Sequence, residues 1–306
     1  MANKALWGID LGGTKIEVVV MEYLDPHAVL LRDRIPTEAA KGYAHILSQI
    51  HTLIENASQK IGVRPSVIGI GTPGAMDPYS GTMKNSNTTV LNGKPFRPDL
   101  AEKLGIPVHM ANDANCFALA EARMGAVAQN VPNAKVVFGI IMGTGVGGGV
   151  VYKGEVWNGN QGIGGEWGHN FLHESGGQCY CGKVGCVETV ISGTGLQKYY
   201  KQQTGEFRKL KEILKRHEQG IDEYATATIE RLITYFGIGV SSIINLLDPD
   251  VIVIGGGVGN IDLLYDEGLR SIEKYVFNPK LRTPVIKPLL GDSAGVFGAA
   301  ALVEGI

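Results

Sequence analysis

The sequence predicts an α/β protein. Short apolar segments of strand character alternate with segments of helical periodicity, in the order β-β-β-α-β-α-β-α over the first part of the chain. A strand–glycine turn–strand pattern opens the chain and recurs near its middle, where residues 138–143 (FGIIMG) align with residues 7–12 (WGIDLG). We therefore expect two related halves, each opening with a hairpin; chance similarity between glycine-rich hairpins is the alternative.

In the first half, the strands are apolar and bounded by turn residues, and the longest helix places Ile46, Ile50, Leu53 and Ile54 on one face. Strands are predicted at 4–10, 16–22, 30–35, 67–71 and 108–112, and helices at 43–61 and 114–124.

The second half also alternates strands and helices, but it contains a loop-rich insertion over residues 157–188. No low-complexity linker separates the halves, so we expect them to pack together with a cleft between them. Strands are predicted at 136–142, 148–152, 251–254 and 284–287, and helices at 193–200, 207–217, 224–247, 261–275 and 295–302.

Composition and charge exclude several classes of protein. Of 306 residues, 44% are apolar and 19% charged, which excludes a disordered chain and a coiled coil. The net charge of −2 gives no general attraction to nucleic acid or acidic membranes. No uncharged apolar run reaches the ~18 residues of a membrane span. Residues 1–4 lead directly into a strand, so we expect no signal peptide and a cytoplasmic location.

Glycine is in excess, with 43 residues, and three glycine-rich turns follow strands, at 10–14, 143–149 and 255–259. Such turns let backbone N–H groups approach phosphate oxygens. Three of them indicate a polyphosphate held between the halves. Gly143, Gly145 and Gly148 match the dinucleotide pattern G-x-G-x-x-G, but a strand follows instead of the required helix, which disfavours a nicotinamide cofactor. The chain has no P-loop motif.

Asp10 ends the first strand beside a glycine turn. A carboxylate in this position can hold Mg²⁺ or its waters, and Thr14 and Lys15 offer a hydroxyl and a cation to the same phosphate oxygens. The alternative is an aspartate that only hydrogen-bonds its own turn.

Asp113 lies where a buried strand ends and a helix begins. A carboxylate at a strand end can accept the proton of a substrate hydroxyl as that hydroxyl attacks phosphorus. The helix N-terminus should keep Asp113 ionised. The alternative is a simple N-cap.

His169, Cys179, Cys181 and Cys186 have the spacing H-x₉-C-x-C-x₄-C. Three thiols and one imidazole match a closed, tetrahedral and structural zinc site; a disulfide or free thiols are the alternatives. The clip would also bring Glu166 and Glu188 near one another as acceptors for sugar hydroxyls. We expect Trp167 to serve packing rather than sugar stacking.

Several segments together resemble the ROK family of sugar kinases and repressors over essentially the whole chain. The resemblance implies the actin-like ATPase fold, which is a duplicated ribonuclease-H-like fold of two lobes with ATP and sugar in the central cleft. It further implies Mg²⁺-ATP, a structural Zn²⁺ and a homodimer. The segments are DLGGTK (10–15), NDAN (112–115), GTGVGGG (143–149), EWGH (166–169) and CYCGKVGC (179–186).

The resemblance also implies residue roles. Asp113 is the expected catalytic base, and the expected sugar contacts are Asn87, Asn112, Asp113, Glu166, His169 and Glu188, with His169 serving the zinc as well. The expected nucleotide-binding residues are Asp10, Gly12, Gly13, Thr14, Lys15, Gly143, Thr144, Gly145, Gly255, Gly256 and Gly257.

The expected N-terminal lobe comprises residues 1–112, completed by a C-terminal helix at about 293–306, and the second lobe comprises 113–292 with the zinc loop. ROK repressors carry a helix-turn-helix domain before the first hairpin. Here the hairpin begins within ten residues and no basic segment precedes it, so we expect a kinase that binds no nucleic acid.

Within the family, four loop segments most closely resemble the bacterial fructokinase (mannofructokinase) branch. The sequence thus predicts phosphorylation of the 6-hydroxyl of fructose, with mannose or glucose as further substrates. The alternatives are an N-acetylglucosamine kinase, a glucokinase, or a sugar-responsive regulator without turnover. The four segments are KNSNT (84–88), LNGKPF (91–96), GEWGHN (165–170) and CYCGK (179–183).

Overall fold

Two mixed β-sheets with flanking helices form the architecture of residues 5–306, the residues that this computed structural model describes. Lys4, placed in the first predicted strand, lies outside the described residues. The strands are β1 Leu6–Leu11, β2 Lys15–Met21, β3 Val29–Pro36, β4 Ile68–Thr72, β5 Ala75–Met76, β6 Met83–Lys84, β7 Val108–Asn112, β8 Val136–Met142, β9 Val146–Tyr152, β10 Glu155–Val156, β11 Val251–Gly255 and β12 Val285–Ile286.

The longest helix predicted in the first half is present, and its predicted apolar face is buried. The helix predicted over 43–61 has these bounds in the structure, and its buried face includes Ile46, Ile50, Leu53 and Ile54. The helices are α1 Tyr43–Ile61, α2 Phe96–Leu104, α3 Asp113–Arg123, α4 Ala126–Asn130, α5 Val187–Ile191, α6 Gly193–Thr204, α7 Leu210–Glu218, α8 Glu223–Leu247, α9 Gly256–Gly259, α10 Glu267–Glu273 and α11 Ala294–Ala301.

The first sheet has the order β3-β2-β1-β4-β7. The first three strands pair antiparallel, whereas β1, β4 and β7 run parallel. The register pairs Asp10 with Gly71 and Thr72 with Asn112. The carboxyl ends of the three parallel strands therefore meet at one edge, which carries both Asp10 and the residue before Asp113.

The second sheet has the order β10-β9-β8-β11-β12, in which β8, β11 and β12 run parallel. This order repeats the connectivity of the first sheet, as expected from the recurring hairpin motif. Pairing of Gly255 with Ile141 places the ends of β8 and β11 at the same edge.

Three local predictions differ from the structure. Strand β9 begins at Val146, so the turn after β8 is shorter than expected. The single helix predicted over 261–275 is a 3-10 helix at Asp262–Tyr265 followed by α10, because Asp266 has φ −126° and ψ −77°, which are not helical. Helix α2 was not predicted from the sequence, because its segment FRPDLAEKL is mostly polar; only Phe96, Leu100 and Leu104 are buried.

The chain divides into two compact units. Unit 1 contains residues 5–133, 149–165 and 289–306, and unit 2 contains 134–148 and 166–288. The division expected from the sequence, at residue 112, placed Asp113 in the second lobe, whereas α3 belongs to unit 1. The reason is a close approach between α3 and α11, because a Cβ at Gly298 would overlap the backbone carbonyl of Cys116.

Small residues let α11 lie directly on the first sheet. A Cβ at Gly8 would overlap the α11 backbone at Ala300, and one at Gly69 would overlap Ala299. The closing helix of unit 1 is thereby held against β1 and β4, and its first turn reaches Asp10: a Cβ at Gly295 would lie 3.3 Å from Asp10 Oδ2.

Helix α8, with 25 residues, is long and apolar enough to cross a membrane by length and composition alone. In the structure, 56% of its most apolar window is buried inside the protein, and Phe236 and Val240 are fully covered. Helix α8 thus packs as a core helix of unit 2.

Candidate active site

Asp10 is a largely buried carboxyl at the end of β1. Burial, and next the negative charge of Glu17, raise the pKa of Asp10 to about 6, while Lys15 opposes the shift. A buried carboxylate that carries this cost is suited to a cation that binds during function. Its position fits the role in holding Mg²⁺ expected from the sequence.

The turn after β1 is closed by a hydrogen bond from the Gly12 N–H to the Lys15 carbonyl, at 2.9 Å. Buried Thr37 stabilises the turn through two hydrogen bonds. Its hydroxyl donates to the Gly12 carbonyl at 2.6 Å, and its N–H donates to the Thr14 carbonyl at 3.0 Å. With these carbonyls held inward, Gly13 and Thr14 lie exposed at the tip.

Lys15 was expected to face phosphate oxygens. In the structure its ammonium pairs with Glu17 at 3.2 Å, and Arg32 also binds that carboxylate. Glu17 is 3% exposed and pairs with both cations, Lys15 on β2 and Arg32 on β3. Burial works against ionisation of Glu17, but its hydrogen bonds to Arg32 and Lys15 outweigh burial and lower its pKa.

Asp113 begins α3 at the end of β7 and is exposed. Asn112, in extended conformation, caps the helix: its Oδ1 accepts the Ala114 N–H at 2.9 Å, and its Nδ2 donates to the Gly74 carbonyl at 3.4 Å. Both Asp10 and Asp113 act on the fully buried thiol of Cys116, whose pKa is raised by burial and then by these two charges. The two carboxylates thus share one edge of the first sheet.

Asn87 is exposed on a loop that local hydrogen bonds hold in place. The Asn92 side chain bonds the Ser86 backbone in both directions, at 2.9 Å each, and the Ser86 hydroxyl donates to the Thr88 carbonyl at 3.2 Å. Ser86 also packs against Gly74, where a Cβ would come within 2.8 Å of the Ser86 backbone. Since Asn112 bonds Gly74, Asn87 and Asn112 flank the same segment of unit 1.

In unit 2, the turn after β8 is short, because the Gly143 N–H donates to the Gly145 carbonyl at 2.9 Å. Glu188, in the first turn of α5, accepts the Val146 N–H at 3.0 Å. A Cβ at Gly145 would overlap the Glu188 carboxylate. The glycine turn therefore carries an acidic group on one side, and a side chain at residue 145 would displace that group.

A cavity of about 730 Å³ opens on the other side of this turn, within unit 2. It combines Gly143, Thr144 and Gly257 with apolar and polar side chains from helices, and its volume is typical of a site for a small molecule. The further lining residues are Gly193, Gln197, Leu210, Lys211, Leu214, Val258, Asn260 and Ile261.

The glycines after β11 differ in role. Gly257 lines the cavity, and a Cβ there would meet nothing within 4 Å. Gly256 has φ +85° and packs against the backbone of Met142, so its glycine is structural. Gly255 ends β11 and precedes α9. Of this triplet, the expected contact with adenosine fits Gly257 best.

The predicted metal ligands converge. The ligand atoms of His169, Cys179, Cys181 and Cys186 all lie within 4.8 Å of one another. Gly182 and Gly185, with φ of +88° and +74°, allow the tight loop between the cysteines. Three thiols and an imidazole in this arrangement fit zinc, which would tie the loop of residues 169–186 to α5.

Two residues of the loop-rich insertion, Trp167 and His169, have separate roles. Trp167 is 4% exposed, and its indole N–H donates to the Gly239 carbonyl of α8 at 3.1 Å, so it serves packing as expected. The His169 imidazole has Nδ1 3.6 Å from Cys179 Sγ and Nε2 2.9 Å from the Tyr180 hydroxyl. Partial burial, and then Glu188 and Glu166, raise the pKa of Tyr180 to about 12.

Roles for Thr37, Tyr180 and the cavity residues of α6 and α7 were not expected from the sequence. Thr37 lies outside any motif, and the cavity residues Gln197 and Lys211 look like ordinary helix-surface positions. Tyr180 lies within the cysteine motif, between the metal-ligand candidates Cys179 and Cys181. For Tyr180, the position between two cysteines is a signal that the sequence does contain.

Comparison with known families matches residues 6–306 to the ROK family. The chain therefore belongs to the ROK family, and its fold is that of the family's sugar kinases, as predicted. The structure of a ROK hexokinase from Thermus thermophilus superposes with a TM-score of 0.85 at 32% identity, covering 97% of both chains.

Two further relatives bear on function. An N-acetyl-D-glucosamine kinase of Mannheimia succiniciproducens is 38% identical, covering 97% of this chain and 98% of the relative. A ROK family glucokinase from Streptomyces griseus, solved with glucose and AMPPNP, is 28% identical with a TM-score of 0.77, covering 97% of this chain and 98% of its own.

The prediction of a fructokinase is wrong, because curated relatives that are 36–38% identical over nearly the whole chain are named N-acetyl-D-glucosamine kinase. The residues behind the prediction explain the error. Trp167 packs inside unit 2, and Lys84 bonds Asp77 and the Gln161 carbonyl, at 3.3 and 2.6 Å. These side chains are occupied by structural contacts, so they carry little information about the sugar.

Proposed function

We propose that this chain is an ATP-dependent N-acetyl-D-glucosamine kinase that transfers the γ-phosphate to the sugar 6-hydroxyl. The observation that carries the proposal is 38% identity to a kinase of that name across nearly the full length of both chains. The AMPPNP and glucose bound by the Streptomyces griseus glucokinase support a nucleotide triphosphate and a hexose as the two substrates.

In this proposal, Asp113 accepts the proton of the sugar hydroxyl as the hydroxyl attacks phosphorus. Asp113 is exposed at the N-terminus of α3, where the Asn112 cap fixes the backbone. Proton acceptance by a positioned carboxylate and exact placement of the two substrates are the main contributions that a protein makes to phosphoryl transfer.

Asp10 would hold the Mg²⁺ that accompanies ATP and neutralises charge on its phosphates. Gly12, Gly13 and Thr14 offer backbone N–H groups at the exposed turn, and Lys15 lies beside them with its ammonium on Glu17. In unit 2, we assign the nucleoside to the cavity lined by Gly143, Thr144 and Gly257. Gly145 belongs to the same turn, Gly255 ends β11, and Gly256 packs against the backbone of Met142.

We assign sugar binding to a set of polar residues. Carboxylates and amides bind sugar hydroxyls well, because each offers two hydrogen-bonding atoms in fixed geometry. These residues are Asn87, Asn112, Asp113, Glu166, His169 and Glu188. The zinc held by His169 and the three cysteines would fix the loop that carries Glu166 and precedes Glu188.

A glucokinase is the second candidate, favoured by the glucose-bound relative. The homodimer and the cytoplasmic location expected from the sequence remain predictions. A coupled assay of ADP release tests the proposal. We expect turnover that requires both Mg²⁺-ATP and N-acetylglucosamine, with the phosphate on the 6-position; ADP release that no hexose stimulates would refute it.

A further inference from the structure

Helices α6 and α7 form much of the wall of the cavity in unit 2. Gly193 and Gln197 line the cavity from α6, and Leu210, Lys211 and Leu214 line it from the first turns of α7. Residues three and four positions apart share one face of a helix, so α7 turns a single face to the cavity. The width of the cavity therefore depends on how α7 is held against α6.

One carboxylate, that of Asp222, bonds both helices. Its Oδ2 accepts the Tyr200 hydroxyl of α6 at 2.7 Å and the Arg216 Nε–H of α7 at 2.7 Å. Its Oδ1 accepts the N–H groups of Tyr224 and Ala225, at 3.0 and 3.1 Å, and so caps α8. The Asp222 side chain is 5% exposed, so these four bonds use both oxygens of a nearly buried group.

Asp222 is ionised at neutral pH. Burial opposes its ionisation, but the hydrogen bonds from Arg216, Tyr200 and the Ala225 N–H outweigh burial and lower its pKa to about 2. Hydrogen bonds to an ionised acceptor are stronger than those between neutral groups. The bridge that Asp222 makes between α6 and α7 is thus strengthened by its charge.

Helix α7 has little apolar anchoring of its own. Its buried residue is Ile213, which packs in a small cluster with Tyr200 and Ala225. His217 Nδ1 lies 3.1 Å from Thr226 Oγ1 of α8. Because so little apolar area anchors α7, loss of the Asp222 bridge should shift this helix while the core of unit 2 stays folded.

We propose that Asp222 is a positioning residue for nucleotide binding, which holds α6 and α7 at the spacing that fits the nucleoside. Asp222 acts on the nucleotide only through these two helices. The inference rests on the proposed function in taking the cavity of unit 2 as the nucleoside site. Loss of the bridge should therefore weaken nucleotide binding and leave sugar binding unchanged.

Asp222→Asn tests the inference, because the amide keeps the size of the side chain and the cap of α8 but offers Arg216 no charged oxygen. We expect KM for ATP, and the Kd of the nucleotide analogue AMPPNP in calorimetry, to rise about tenfold, which corresponds to ~1.4 kcal/mol. KM for the sugar should stay within about twofold, and kcat within about threefold, of the wild-type values.

Asp266→Asn is the matched control. Asp266 also precedes a helix of unit 2 and pairs with an arginine, Arg270, but it is exposed and is not among the residues that line the cavity. The AMPPNP Kd and the KM for ATP of this variant should equal those of the wild type.

Arg216→Gln separates positioning from a general loss of stability. It should also raise the AMPPNP Kd, and Asp222→Asn should add little in its background, because the two residues act through one bond. Arg216 is partly exposed, so Arg216→Gln alone decides the question if Asp222→Asn does not fold. A lower unfolding temperature with an unchanged AMPPNP Kd would overturn the inference, and so would equal rises in KM for ATP and for the sugar.

The outcome is separable from that of the proposed function. A wild type that prefers glucose to N-acetylglucosamine would contradict the proposed sugar, and the AMPPNP affinities of the variants would still decide the inference. A wild type that phosphorylates N-acetylglucosamine, with AMPPNP affinity unchanged in Asp222→Asn, would overturn the inference alone. A wild type that does not bind AMPPNP would overturn both.

Discussion

Asn112 Oδ1 accepts the backbone N–H of Ala114 at 2.9 Å and so caps the helix that begins at Asp113. The Nδ2 of the same amide donates to the Gly74 carbonyl, at 3.4 Å, which ties the start of α3 to the segment after β4. One side chain thus positions the proposed catalytic carboxylate relative to the edge of the first sheet.

Replacement of Asp113 tests its catalytic role. We expect Asp113→Asn to lower kcat by ~10²–10⁴, because the amide cannot accept the substrate proton. Asn remains a good residue at a helix N-terminus, so the thermal stability should change little. Sugar affinity measured by calorimetry should largely survive. A variant that retains wild-type kcat would remove Asp113 from the mechanism.

Asp10→Asn is expected to make the protein more stable at pH 8 while it reduces activity. The pKa of Asp10 is raised from 3.8 to about 6 by burial, so the folded state binds this proton more tightly than the unfolded state does. Its contribution to stability is therefore full below about pH 4 and is lost as pH rises through 6, at a cost of ~3 kcal/mol.

Denaturant unfolding of wild type and Asp10→Asn at pH 4 and pH 8 measures this effect. The variant should gain stability at pH 8 and little or none at pH 4, where wild-type Asp10 is protonated. Equal differences at the two pH values would show that burial of the charge is not the cause.

The cysteine cluster should hold about one zinc ion per chain. Cys179→Ala should lose the metal and unfold at a lower temperature, because metal binding contributes directly to folding of such a loop. Cys116→Ala is the matched control: Cys116 is buried in unit 1 and lies outside the cluster. Elemental analysis that finds the same metal content in both variants would contradict the assignment.

Two glycines of one turn should respond differently to alanine. A Cβ at Gly145 would overlap Glu188, whereas one at Gly143 would meet nothing within 4 Å and would point into free space at the cavity. We expect Gly145→Ala to raise KM for the sugar by ~10-fold or more through displacement of Glu188. Gly143→Ala should raise KM for ATP instead. If Gly145→Ala instead raised KM for ATP and Gly143→Ala raised KM for the sugar, the assignment of sugar and nucleotide to the two sides of the turn would be wrong.

The sequence alone predicted the elements and motifs that depend on residues close together in the chain. The apolar face of α1, the glycine turns and the cysteine spacing all depend on neighbouring residues, and the structure contains them where they were expected. The repeated hairpin also predicted two related halves, and the two sheets have matching strand orders.

Contacts between residues far apart in the chain could not be predicted from the sequence. Glu121 is fully buried and accepts the N–H groups of Ala126 at 2.7 Å and of Leu290 at 2.9 Å, which holds the segment before α11 on α3. This contact joins residues far apart in the chain, and it explains why α3 belongs to unit 1. Substrate choice failed for the same reason, since only tertiary contacts show that Lys84 bonds Asp77 and the Gln161 carbonyl.

The ratio of kcat/KM for N-acetylglucosamine to kcat/KM for glucose, measured with the purified chain and saturating Mg²⁺-ATP, tests the central claim most directly. Fructose and mannose complete the panel. The account predicts a ratio well above ten, because a site that fits the 2-acetamido group leaves its polar atoms unpaired with glucose. A ratio below one would contradict it.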